Sequence, residues 1–148
     1  MSPREERAVK PSDPEAGVYR GRAVARRFTA SDGTTVLVGK NAADNDVLTF
    51  QLASPRDFWL HVAAESGSHV VIRNPDGRDR PSREALQLAA SLAAGHSRAR
   101  EGGRVAVHLA RRSDVSKPRG FAPGKVLLSR YRTVHAAPRR EPEGDTST

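Results

Sequence analysis

The chain has 148 residues, 36% apolar and 28% charged, with no cysteine, which suits one domain of ordinary size and leaves no room for a second, catalytic one. Without cysteine there is no disulfide framework, thiolate zinc site, iron–sulfur cluster or cysteine nucleophile, and the expected compartment is the cytoplasm. Basic residues outnumber acidic ones 25 to 17, a formal net charge of +8, which directs attention to acidic partners.

The opening stretch, MSPREERAVKPSDPEAG, has charges and prolines where a signal peptide needs an apolar core, and no apolar run approaches a membrane span. Residues 1–21 hold too little apolar surface to offset ordering entropy and read as a disordered tail, as do residues 138–148. Between them, residues 22–137 form the expected domain. RRFTASDGTTVLVGK (26–40) has two β-favouring runs about Asp32-Gly33, a hairpin signal. NAADNDVLTFQLAS (41–54) reads as a helix capped by Asn41, with Ala43, Val47, Phe50 and Leu52 or Ala53 on its apolar face and Pro55 as its stop. DFWLHVA alternates as a strand, with Phe58, Leu60 and Val62 on one side and Trp59 and His61 on the other. After the turn 65–68, the run Val70-Val71-Ile72 predicts a strand buried on both sides. Residues 84–97, EALQLAASLAAGHS, predict the longest helix. RVAVHLA (104–110) and residues 126–134 predict two further strands. The expected class is α+β: one mixed or antiparallel sheet packed by two main helices.

The charge is uneven. Residues 98–140 carry twelve basic side chains against two acidic ones, Glu101 and Asp114, a net +10, and the rest of the chain is net −2. Such a block is an electrostatic footprint for phosphate backbones or a solvated face. Within it KPRGFAPGK (117–125) sets Lys117, Arg119 and Lys125 among small residues that leave phosphate oxygens room to approach. Lys125 is followed by Val126 and a strand, so this is no Walker A loop.

The five histidines raise a metal or acid–base reading on Asp57, His61 and His69, against which stands a structural role in hydrogen bonding; no HExxH spacing is present. Ser66 and Ser68 lack the GxSxG elbow of a nucleophile and fit instead a small anion-binding concavity of backbone N–H groups around a turn at Gly67. No catalytic residue, metal or cofactor is expected. Among seven aromatics, only Trp59, Phe121 and Tyr131 are candidates for base stacking, each equally placed to be core, so backbone- or shape-directed binding fits better.

Taken in order, VLVGKNAADNDVLTF (36–50), DFWLHVAAESGSHVVIR (57–73), the helix ending LAAGHSRAR and DVSKPRGFAPGKV (114–126) resemble the NFACT-R domain, the RNA-binding module of the ribosome-associated quality-control factors of the NFACT family. The resemblance spans residues 26–137. It implies binding of structured RNA, transfer or ribosomal, near the large ribosomal subunit. It carries over Lys40, Asn41, Asn45 and Asp46 as a loop and cap constellation, Asp57, Trp59, His61, Gly67, Ser68 and His69 as a signature unit, and Lys117, Pro118 and Gly124 as a basic loop. The family's additional domains and coiled coils find no counterpart in 148 residues, so a stand-alone module is expected.

With the basic segment, the residues expected to contact RNA are Lys40, Asn41, Trp59, His61, Ser66, Gly67, Ser68, His69, Arg73, Arg111, Arg112, Lys117, Arg119 and Lys125. Asn45, Asp46, Asp57 and Gly124 are expected to build the fold, with Asn45 as a helix cap and Asp57 orienting His61. The competing readings are a small metal-dependent or acid–base enzyme on Asp57, His61 and His69, and an adaptor docking on an acidic ribosomal surface. No membrane partner is expected.

Overall fold

A computed structural model of the chain describes residues 10–139. A six-stranded sheet forms its centre, built from β3 (Ala25–Thr29), β4 (Thr35–Gly39), β5 (Phe58–Val62), β6 (Val70–Ile72), β7 (Val105–Arg111) and β10 (Arg132–Ala136) in the spatial order β10-β7-β5-β6-β4-β3. Every neighbouring pair is antiparallel. Two small hairpins lie outside it: β1 (Val18–Tyr19) with β2 (Arg22–Ala23), and β8 (Val115–Ser116) with β9 (Leu127–Leu128). With helices α1 (Ala42–Val47) and α2 (Arg83–Gly95), the class is α+β, as the sequence predicts.

The period-two alternation of each strand sorts its side chains between two cores. Val36 and Val38 of β4, Phe58 and Leu60 of β5, Val70 and Ile72 of β6 and Val107 and Leu109 of β7 meet the helix α2. Ser82 caps α2, its hydroxyl accepting from the Ala85 N–H at 3.1 Å. Ala85, Ala89, Ala90, Ala93 and Ala94 are buried, and their short side chains let the helix axis sit close to the strands. On the opposite face Leu37, Trp59, Val71 and Ala110 pack with Leu48 and Val115 under α1 and the 115–128 segment. Covering both faces is why 36–38 and 70–72 are unbroken apolar runs even though the sheet is antiparallel.

Four expectations are corrected. Residues 10–21, assigned to a tail, are structured: Asp13 caps a 3₁₀ turn at Pro14–Ala16, and Glu15 pairs with Arg73 at 2.8 Å. Buried Gly17 there abuts Ala25 and Leu37. The segment wins order by docking on the sheet rather than by its own composition. Residues 1–9 and 140–148 of the two assigned tails lie outside the described residues, while Arg139 donates its N–H to the Ser91 carbonyl. The single strand expected over 126–134 is two, β9 and β10, because Ser129 turns back to bond Asp114. Finally, the 41–54 helix continues past α1 as a π turn, Leu48–Leu52, and buries Asp44, Asn45, Leu48, Thr49 and Leu52. Apolar spacing missed that face because three of its members are polar. Among the described residues no helix is long and apolar enough to cross a membrane.

Candidate nucleic-acid interface

Trp59, His61 and His108 emerge from the α1 side of β5 and β7, where His61 stands opposite His108 in the register. They floor a cleft of about 870 Å³, walled by the 63–69 turn, the 121–126 segment and Tyr131. His61 stacks on Trp59 with ring centroids 5.9 Å apart, and its ring meets that of His69 edge-on at 5.7 Å. Tyr131 lies against His108 at 4.3 Å.

A chain of buried hydrogen bonds holds this floor. His69, 1% exposed, sets Nε2 2.8 Å from the Gly124 carbonyl and Nδ1 2.8 Å from the Thr49 hydroxyl. A carbonyl only accepts, so Nε2 carries the proton and Nδ1 of the neutral ring accepts from Thr49. The Thr49 oxygen in turn accepts from Trp59 Nε1–H at 3.2 Å. Burial is the main reason that the His69 imidazole is pushed down to about 4, with His61 and Lys117 adding to it and the Gly124 carbonyl and Asp46 opposing it. Burial likewise lowers His61 and His108. The neutral form of these rings therefore dominates near pH 7.

The 117–125 loop is fastened by the same region. Lys117 Nζ contacts the Asp46 carboxylate at 3.1 Å and donates to the carbonyls of Ala122 and Lys125. Asp46 also accepts the Gly124 N–H at 3.1 Å. Gly124 has φ +83°, a left-handed conformation that a Cβ would strain. Lys117, expected on RNA, is thus the post of the loop, and Arg119 and Lys125 are its exposed cations.

The 66–68 turn pairs with the end of α2. Ser68 N–H donates to the His96 carbonyl and Arg98 N–H to the Ser66 carbonyl, while His69 N–H donates to Asn45 Oδ1 at 3.1 Å. Of the two serines expected to form an anion-binding concavity, Ser66 and Ser68, the Ser68 amide is thus taken by the His96 carbonyl. Gly67 serves close approach: a Cβ there would lie 2.7 Å from that of Ser97. Behind the turn is a second pocket of about 390 Å³, lined by Arg26, Lys40, Arg98 and Arg100 with Ser66, Gly67 and Ser68 and by no carboxylate.

Other predicted residues lie elsewhere. Asn41, not Asn45, caps α1, accepting the Asp44 N–H at 2.8 Å. Asp57 does not orient His61: its carboxylate accepts from Ser54 N–H, Asn74 N–H and the Arg73 guanidinium, at the far end of β5. Arg73, 14% exposed, spans Asp57 and Glu15. Arg111 donates to the carbonyls of Arg56, Arg78 and Asp79 and lies over Phe58. Arg112 donates to the Thr49 and Val115 carbonyls and covers Phe50. Each of these three arginines spends at least two donor nitrogens on protein acceptors. Trp59 is 1% exposed, whereas Phe121 and Tyr131, absent from the predicted contacts, are 41% and 50% exposed. Among the described residues no group of three His, Asp or Glu side chains could hold a metal.

An open antiparallel sheet carrying a cleft lined by aromatic and imidazole rings, with a basic pocket beside it, has the architecture of a small binding module. The model of the NFACT protein RNA binding domain matches residues 25–130, and the chain belongs to that family. It is 36% identical over 115 residues to the Rqc2 homolog RqcH of Bacillus subtilis and 42% identical over 113 residues to that of Streptococcus suis, covering 78% and 76% of this chain. The chain spans about one fifth of the length of these relatives, 20% in each. A Drosophila melanogaster ribosome quality control complex subunit NEMF homolog is 31% identical over 70 residues, 47% of this chain and 7% of its own. The solved C-terminal part of the fibronectin/fibrinogen-binding protein from Streptococcus suis superposes with a TM-score of 0.73 at 39% identity, over 80% of this chain and 47% of that one.

Proposed function

We propose that this domain binds structured RNA, transfer or ribosomal, without catalysis, in a ribosome-associated or translation quality-control setting in the cytoplasm. The observation that carries the reading is the fastened loop: Arg119 and Lys125 stand exposed on a segment that Lys117, Asp46 and His69 tie to the sheet. Cations already held in place give up less freedom on meeting phosphates than cations on a slack loop. The family description and the ribosome quality-control names of the relatives support the RNA and ribosome parts. We assign RNA contact to Lys40, Ser66, Ser68, Arg119 and Lys125, and assign Asn41, Trp59, His69, Arg73, Arg111, Arg112 and Lys117 to building the face.

Binding through phosphates falls steeply with salt, by about one unit of log–log slope for each phosphate neutralised. Titrations of transfer RNA, a ribosomal RNA fragment and a DNA duplex across roughly 50–200 mM salt test the reading. The expected result is tighter binding of RNA than of DNA, with the double charge reversal R119E/K125E reducing affinity at least about tenfold and the slope by about two. Failure to bind any RNA at low salt, or full affinity in the reversed variant, overturns it.

A further inference from the structure

The cleft and the basic pocket are neighbours that share one wall. Ser66, Gly67, Ser68 and His96 line both. On one side of this wall, Phe121 and Tyr131 are exposed large aromatics, and Tyr131 is steadied by His108. An exposed aromatic face over a concave floor accepts a flat heterocycle and excludes a continuous base-paired helix, whose bases are already stacked. Beyond the wall, the side chains of Arg26, Lys40 and Arg98 meet no ion-pair or hydrogen-bond partner among the described residues, and Arg100 has there a 3.9 Å pairing with exposed Glu101 and a donation to the Ser97 carbonyl. A pocket of cations with no carboxylate suits a phosphate group.

From this juxtaposition we propose, building on the RNA-binding reading, that the domain selects RNA carrying an unpaired nucleotide. The base of that nucleotide enters the cleft against Phe121 and Tyr131, and a phosphate of the same strand lies across the 66–68 wall in the Arg26–Lys40–Arg98 pocket. The ligand class is a bulge, loop or single-stranded end within a structured RNA, rather than a continuous duplex. Neutral His61 and His108 on the floor suit a base, which is uncharged, better than they suit a second phosphate.

The test compares a blunt RNA duplex with the same duplex bearing one bulged 2-aminopurine, by anisotropy and by the fluorescence of the modified base. The bulged probe is expected to bind about tenfold tighter than the blunt one, since stacking on an aromatic side chain is worth roughly that or more per base, and its fluorescence to drop on binding. F121A/Y131A is expected to bring the ratio near one and abolish the fluorescence change; both residues are exposed, and an unchanged circular dichroism spectrum shows that the variant folds. R26A/R98A is expected to lower the salt slope for the bulged probe by about one. Equal affinity for the two probes, or a ratio undiminished in F121A/Y131A, overturns the proposal while leaving RNA binding intact. An unchanged slope in R26A/R98A overturns its phosphate half. Absence of binding to either probe overturns the parent reading as well.

Discussion

His69 shows how much one side chain does in this molecule. Its ring fastens the 117–125 loop through Gly124 and the π turn through Thr49, and its backbone N–H is held by Asn45. Because the native ring stays neutral down to about pH 4 while an unfolded histidine takes up a proton near 6.5, the unfolded chain binds more protons between those values. Stability from this group is therefore complete above about pH 6.5 and falls as the pH drops toward 4, by on the order of 3 kcal/mol in all. Urea unfolding at pH 7.5 and 4.5 measures it. His69→Gln is expected to be less stable than the parent at pH 7.5 by about 2 kcal/mol, yet to lose less on acidification; equal acid losses in the two proteins would rule the assignment out. The histidine was legible in the sequence as a special residue, flanked by Gly67 and Ser68. Its partners were not, since Thr49 and Gly124 lie 20 and 55 positions away.

At the scale of elements, α1 and the basic loop form one device. Asp46 on α1 faces Lys117 and the Gly124 N–H, so the helix fixes the loop that carries Arg119 and Lys125. Asp46→Ala is expected to speed amide exchange at Gly124 and Lys125 by about tenfold, leave β7 amides unchanged, and cost about 1–2 kcal/mol, the effect of removing a hydrogen-bonded charge from a half-buried site. Hydrogen exchange read by NMR checks the position, and the loss of RNA affinity should follow the loop. The helix, the hairpin at Asp32-Gly33 and the alternating strands were readable from period and turn chemistry. The buried side of the 41–52 segment was not: Asp44, Asn45 and Thr49 are polar, and only tertiary hydrogen bonds explain their burial. Counting basic residues likewise marked Arg111 and Arg112 for RNA, because composition cannot distinguish an arginine facing solvent from one spending its donors on backbone carbonyls.

For the whole molecule, the sheet is packed on both faces except where the cleft opens over β5 and β7, and the N-terminal segment belongs to that packing. Glu15 reaches Arg73, which reaches buried Asp57, and Gly17 sits on Leu37. A chain beginning at residue 22, the boundary that composition suggested, loses this layer. It is expected to unfold at lower urea concentration, by about 1–3 kcal/mol, with the loss concentrated in β3 and β4; matching midpoints for the two lengths would place residues 10–21 outside the cooperative unit. Low apolar content misled there because the segment orders by capping and ion pairing against a surface already built, a benefit that only the folded partner reveals.

Trp59, the sole tryptophan of the chain, lies at the floor of the cleft between His61 and His69 with its indole N–H bonded to Thr49. The indole is thereby an optical reporter at the point where the sheet, the π turn and the cleft converge. Its emission is sensitive to the polarity and charge of the flanking imidazoles, so the state of that junction can be followed in unlabelled protein, with no second indole to confuse the signal.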